Sequence, residues 1–188
     1  SKFWYNRGLI YFQIHISKDP AIGGLSDRGL DEATVAFQQL FKCDVKKRYT
    51  KEGIQQFNYC VNGYINRAFD SIEKENWASA MADFETGFAL KQDPVIGVID
   101  TTTLYNAALM AQYANDVDNG IRLNRELLQY EYGGATTYIV LSQLYKDKGD
   151  KEAAYAITME GREKYPSDRD LLIEEVNFYI ADQNNEKA

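Results

Sequence analysis

The sequence is poor in residues that break, bridge or ligate a chain: among 188 residues it has three prolines, two cysteines and one histidine. Pro20 and Pro94 sit in loop-like surroundings and Pro166 follows a helix-like run, so long stretches are free to be helical. Two cysteines are too few for a disulfide framework. Cys43 follows one predicted helix and Cys60 lies within another, which favours two free thiols over a bridge. The histidine, His15, has no cysteine or second histidine at ligand spacing, so a metal would have to rest on carboxylates alone. We expect His15 at the surface or a helix end, and no metal or other cofactor. No apolar run approaches the length of a membrane-spanning helix. Positive charge is also scarce: 21 basic residues against 28 acidic ones leave a net charge of −7. Nucleic acid is therefore not an expected partner, because phosphate contacts need clustered Lys and Arg. The longest basic cluster, Lys46-Lys47-Arg48, reads as helix-end charge on a solvated surface.

Enzymatic signatures are missing too. Gly23-Gly24 lacks the preceding strand and the following Lys-Ser/Thr of a phosphate loop, and no serine sits in a G-x-S-x-G turn. Acid pairs such as Glu174-Glu175 and Asp168/Asp170 read as solvated helix ends. The expectation is a protein that is not an enzyme.

What is present is helical period. Residues 135–168, ATTYIVLSQLYKDKGDKEAAYAITMEGREKYPSD, read as one helix-turn-helix unit. Tyr138, Leu141, Ser142 and Tyr145 share one face, with Ser142 where a neighbouring helix must come close. Lys148-Gly149-Asp150 breaks the helix, Ala154, Thr158 and Gly161 mark the inner side of a second, and Pro166 stops it. Moving back 34 positions gives Leu104, Ala107, Ala108, Ala111, Gly120, Asn124 and Leu127, a second copy. A further 40 back gives Tyr64, Ala68, Ser71, Ala80, Phe84 and Gly87, a third. Moving forward gives Leu172, Val176 and Tyr179, with the next alanine slot at Ala188. Trp4, Gly8 and Tyr11 open a first unit whose second helix carries Ala33, Phe37 and Leu40, delayed by the insertion Ser17–Gly29, which reads as loop. No strand-length alternation of β-branched residues occurs, so the fold class is all-α.

This spacing resembles the tetratricopeptide repeat, with its W-x2-L-G-x2-Y, A-x3-F and P signature. The resemblance implies a right-handed α-solenoid, a superhelix of helix-turn-helix units forming one array over 1–188. Its units would be 1–47 with the inserted loop 17–29, 48–94 with an extended first helix, 101–134, 135–168 and a partial unit 169–188. Both ends read as interrupted, as in a piece of a longer array. The extended helix should run from about Lys51 to Lys74, with Thr50 as its N-cap, and its extra turns need a partner. The inserted loop is the nearest candidate in sequence. The chain also resembles bacterial cell-envelope proteins in its opening (Trp4, Tyr5, Arg7, Gly8, Ile10, Tyr11), at Asp31-Glu32-Ala33, and in Lys46, Lys47, Tyr49, Thr50, Lys51 and Glu52. That likeness favours a periplasmic or envelope location and leaves the cytoplasm open.

The first helices of such arrays line a concave surface that holds extended peptides or partner helices. The residues so implied are Tyr5, Asn6, Leu9 and Phe12; Asn66 and Phe69; Tyr105, Asn106, Leu109 and Tyr113; and Gln143. Asn6, Asn66 and Asn106 share one slot, where an amide offers both donor and acceptor to a peptide backbone. The carboxylate clamp of chaperone-binding relatives is absent, its places being held by Tyr5, Thr102 and Asn106. The expected function is a noncatalytic interaction module for a protein or peptide. The alternatives are a structural scaffold or assembly segment of a larger cell-envelope protein, with self-association through its C-terminal end, and small-molecule capture between loop 17–29 and the groove.

Overall fold

The computed structural model describes residues 1–185, and among them it is all helical, with no strand. The helices are α1 (Lys2–Ile16), α2 (Pro20–Gly23), α3 (Gly29–Cys43), α4 (Thr50–Glu73), α5 (Trp77–Lys91), α6 (Thr101–Tyr113), α7 (Val117–Gln129), α8 (Ala135–Asp147), α9 (Lys151–Lys164) and α10 (Arg169–Asn185). None among the described residues is long and apolar enough to cross a membrane.

Three of the helix-to-helix turns share one construction. After α4, α6 and α8 the chain passes through a left-handed residue, Glu75 (φ 55°), Asn115 (φ 54°) or Gly149 (φ 83°). The next residue then caps the following helix. Asn76, Asp116 and Asp150 accept the N–H of Ser79, Asn119 and Ala153 at 3.3, 3.1 and 3.0 Å. Their own N–H groups reach back to the carbonyls of Ser71, Ala111 and Tyr145 at 2.8–2.9 Å, which satisfies the end of the preceding helix. Glycine does this without steric cost and asparagine tolerates it, whereas glutamate at 75 carries the full left-handed penalty.

In two of the units the periodic positions form the interior. All seven slots of the 135–168 unit are buried, as are the seven found 34 residues earlier. The one polar slot among the latter, Asn124, donates its amide to the Gly120 carbonyl at 2.8 Å. Where α8 crosses α9, Ser142 and Thr158 are both 0 % exposed. The Thr158 hydroxyl bonds Ser142 at 2.9 Å and the Ala154 carbonyl at 2.9 Å, so the close approach leaves no polar atom unpaired there.

The chain divides into two compact units, Ser1–Thr103 and Leu104–Ala188. In the first, α1 packs on α3, α3 on α4, and α4 on α5. Its core holds Leu30, Ala33, Phe37, Leu40, Phe57, Cys60, Val61 and Tyr64. Gly8 allows the contact between α1 and α3: a Cβ there would stand 2.6 Å from the Phe37 ring. A fully buried phenylalanine of this kind contributes about 2–3 kcal/mol. In the second unit, α7 packs on α8, α8 on α9, and α10 on both α8 and α9. Its core includes Ile121, Tyr138, Leu141, Ile157 and Leu171.

Three expectations are revised. The insertion Ser17–Gly29 is not all loop, because Pro20 takes the first position of α2 and Asp19 caps it, accepting the Ala21 N–H at 2.9 Å. Thr50 is the first residue of α4 rather than its cap. Its hydroxyl and the Tyr49 N–H both go to Asp44, at 2.9 and 2.7 Å. The extra turns of α4 pack on α3 and α1, not on the insertion. Gly53 lies against Leu40, Phe57 meets Phe41 edge-on at 5.4 Å, and Tyr59 stacks on Phe12 at 6.3 Å. Leu172, Val176 and Tyr179, the slots of the partial last unit, are 46–48 % exposed, because no helix follows α10 among the described residues to cover them. The slot at Ala188 lies outside the described residues.

Candidate functional site

The flank of α8 beside its buried face carries Val140, Gln143 and Asp147 at helical steps of three and four. Opposite stand Gln112 of α6 and Val117 of α7, and the two walls enclose a cleft of about 330 Å³. Its floor is apolar, since Val117, Ile139 and Val140 pack on the core of the second unit. Its edge is polar. The Gln143 amide donates to Asp147 at 2.8 Å, which holds that side chain along the rim. Asp116 lies at the α6–α7 turn. Hydrogen bonds from the Asn119 side chain and backbone hold its carboxyl below the ordinary range, so it is charged at neutral pH. Residues 104–188 contain nine basic and fifteen acidic residues, a net charge of −6, so the cleft sits in a negative field.

Of the eleven residues expected on a concave face, Gln143 lines this cleft. On α6, Tyr105 is 41 % exposed with its ring 5.5 Å from Tyr132, Asn106 and Leu109 are half-buried, and Tyr113 is exposed. In the first unit the aromatic slots serve packing. Tyr5, Leu9 and Phe12 lie against the core, with Tyr5 stacked on Tyr49 at 5.2 Å. Asn6 is exposed and borders a shallow depression with Phe3, Arg7 and Ile10. Asn66 is exposed, and Phe69 is half exposed with its ring edge-on to Phe84. The residues that sequence reasoning missed are Gln112, Val117, Ile139, Val140 and Asp147. Continuing the Gln143 face by one turn in each direction would have found Val140 and Asp147; the others come from neighbouring helices.

A second cleft in the same unit, about 560 Å³, lies between α9 and α10. Tyr155 meets Phe178 and Tyr179 edge-on at 5.5 and 6.4 Å, and the Lys146 ammonium lies 4.9 Å over the Phe178 ring. Lys146 also pairs with Glu174.

A polar cluster in the first unit is paired within itself. Arg67 holds Asp83 through two hydrogen bonds of 2.8 and 2.6 Å, and Tyr64 donates to Asp31 at 2.8 Å. Among the described residues no buried side-chain polar atom lacks a partner. Half-buried His15 has its pKa lowered by burial and by Arg67, with Asp31 opposing, so the imidazole is neutral at pH 7. Both cysteines are free, Cys43 exposed and Cys60 buried. Burial pushes the Cys60 thiol up to about 12, so it stays protonated and is not poised as a nucleophile.

No protein-family profile matches this chain, and no curated protein matches it. The reading of its function therefore rests on the residues above.

Proposed function

We propose that this chain is a noncatalytic interaction module of tetratricopeptide-type helix pairs that grips an extended peptide or partner helix along α6 and α8. The observation that supports this reading is the cleft itself: an apolar floor of Val117, Ile139 and Val140 edged by the amides of Gln112 and Gln143. Amides supply the donors and acceptors that a docked main chain needs, and an apolar floor supplies an anchor. The surrounding acids select a ligand with Lys or Arg beside its apolar residue. The likeness to bacterial envelope proteins would place that partner in the cell envelope. A randomised peptide array tests this. Peptides pairing an aliphatic residue with a cation should be retained, and Gln143→Ala with Gln112→Ala should weaken their binding about tenfold or more with little change in Tm. Unchanged binding by the double variant would sink the proposal.

A second reading, a scaffold that self-associates, is favoured by one feature. On α10, Leu172, Ile173, Val176, Tyr179 and Ile180 are 45–54 % exposed and fall on a continuous helical stripe. Sedimentation equilibrium should then show concentration-dependent association that Val176→Glu with Ile180→Glu removes. A wild-type chain that stays monomeric throughout would leave the peptide reading alone.

A further inference from the structure

The basic run at 46–48 becomes a larger feature once the chain folds. The Ser1 hydroxyl donates to the Cys43 carbonyl at 3.4 Å, which brings the start of α1 to the end of α3. Lys2 thereby joins Lys46 and Arg48 around a shallow depression at the α3–α4 corner. Lys42, Lys47 and Lys51 flank it along the chain, and all six cations are exposed. None of the six forms an ion pair among the described residues, whereas Arg7, Arg67, Lys91, Lys146, Lys148, Arg162 and Lys164 all do. The one acid between Lys42 and Lys51 is Asp44, which is 5 % exposed and turned inward to Tyr49 and Thr50. At the tip stands Val45, 90 % exposed, the most exposed of the large hydrophobic residues. Lys47 turns the chain there through a left-handed conformation (φ 49°), its N–H bonding the Asp44 carbonyl at 2.8 Å.

We propose that this corner docks reversibly on an anionic lipid surface, with the six cations meeting headgroup phosphates and Val45 entering the headgroup layer. The cations surround a protruding apolar tip rather than a groove, and a lipid surface accepts such a tip while demanding no fixed stereochemistry. The chain's net charge of −7 opposes approach to an anionic surface. At physiological salt, however, charges farther than about 8 Å from the surface are largely screened, so the local cations decide the outcome. Each cation near such a surface raises partitioning about fivefold.

The test is co-sedimentation with phosphatidylcholine vesicles and with equimolar phosphatidylcholine–phosphatidylglycerol vesicles, at low and at physiological salt. The protein should pellet with the mixed vesicles, not with phosphatidylcholine alone, and more at low salt. The combined variant Lys46→Glu, Lys47→Glu, Arg48→Glu should lose about a hundredfold or more in partitioning with an unchanged circular dichroism spectrum. Val45→Ser should lose severalfold at unchanged charge. The proposal is overturned if the wild type does not pellet with mixed vesicles at low salt or if the triple variant pellets equally. It is overturned in favour of a soluble anion if inorganic phosphate alone displaces the protein at constant ionic strength. It is overturned in favour of an acidic protein partner if Val45→Ser has no effect and polyglutamate competes.

Discussion

Glu75, Asn115 and Gly149 occupy equivalent places in three turns, yet only one is the residue that a left-handed conformation favours most. The sequence marked the turn at Lys148-Gly149-Asp150 because glycine announces it, whereas Glu75 carries no such signal. Glu75→Gly should therefore stabilise the protein by about 0.5–1 kcal/mol in urea unfolding, since relief of the left-handed strain exceeds glycine's added chain entropy. An unchanged midpoint would show that the turn is already relaxed. Asp44 was likewise illegible as more than one acid in a basic run. Burial alone would raise its pKa, but hydrogen bonds from Tyr49, Thr50, Ser1 and Arg48 outweigh this and hold it below its ordinary 3.8. A depressed carboxyl contributes stability that is complete above its unfolded pKa and is lost as pH falls through the folded one. Asp44→Asn should accordingly lower stability at neutral pH and flatten the acid limb of the stability–pH curve below pH 3.8. Parallel curves for variant and wild type would assign the acid limb to other carboxylates.

At the scale of elements, α4 is where repeat spacing and tertiary packing part company. Its stripe of Ile54, Phe57, Val61, Tyr64 and Ala68 is legible as one long helix, and the helix found runs from Thr50 to Glu73. What its first turns touch was not legible. Tyr49 and Tyr59 cover Tyr5 and Phe12 of α1, so aromatic residues that resemblance would assign to a binding face serve as packing. Removing both rings by Tyr49→Ala with Tyr59→Ala should speed amide exchange in α1 while leaving α5 protected, because α5 packs on α4 rather than on these rings. Uniformly faster exchange through the whole first unit would mean that the rings support the entire core. The α6–α8 cleft belongs to this scale too. Gln143 could be placed on a helix flank from its spacing, but the opposing Gln112 and Val117 come from other helices.

For the whole molecule, the core of the first unit centres on Phe37 and Phe57 and that of the second on Leu141 and Leu171. Phe37 and Leu141 belong to separate core clusters, so Phe37→Ala, costing about 3–5 kcal/mol, and Leu141→Ala, costing about 2–5 kcal/mol, should add to within about 0.5 kcal/mol. Guanidinium unfolding of the single and double variants measures this, and a larger discrepancy would show that the cores are coupled. The sequence by itself determined the all-α class, the 34-residue spacing, the buried slots of the two units it relates, the helix break at Lys148-Gly149-Asp150 and the overall acidity. Those features are local: helical period, turn chemistry and composition act over a few residues and need no knowledge of the rest of the chain. Only the tertiary structure decided that the extra turns of α4 close over α1 and that Lys2 joins the run at 46–48. Each of these brings together segments far apart in the chain. Such contacts depend on the packing of whole helices, a sum of many small terms that no single stretch of sequence carries.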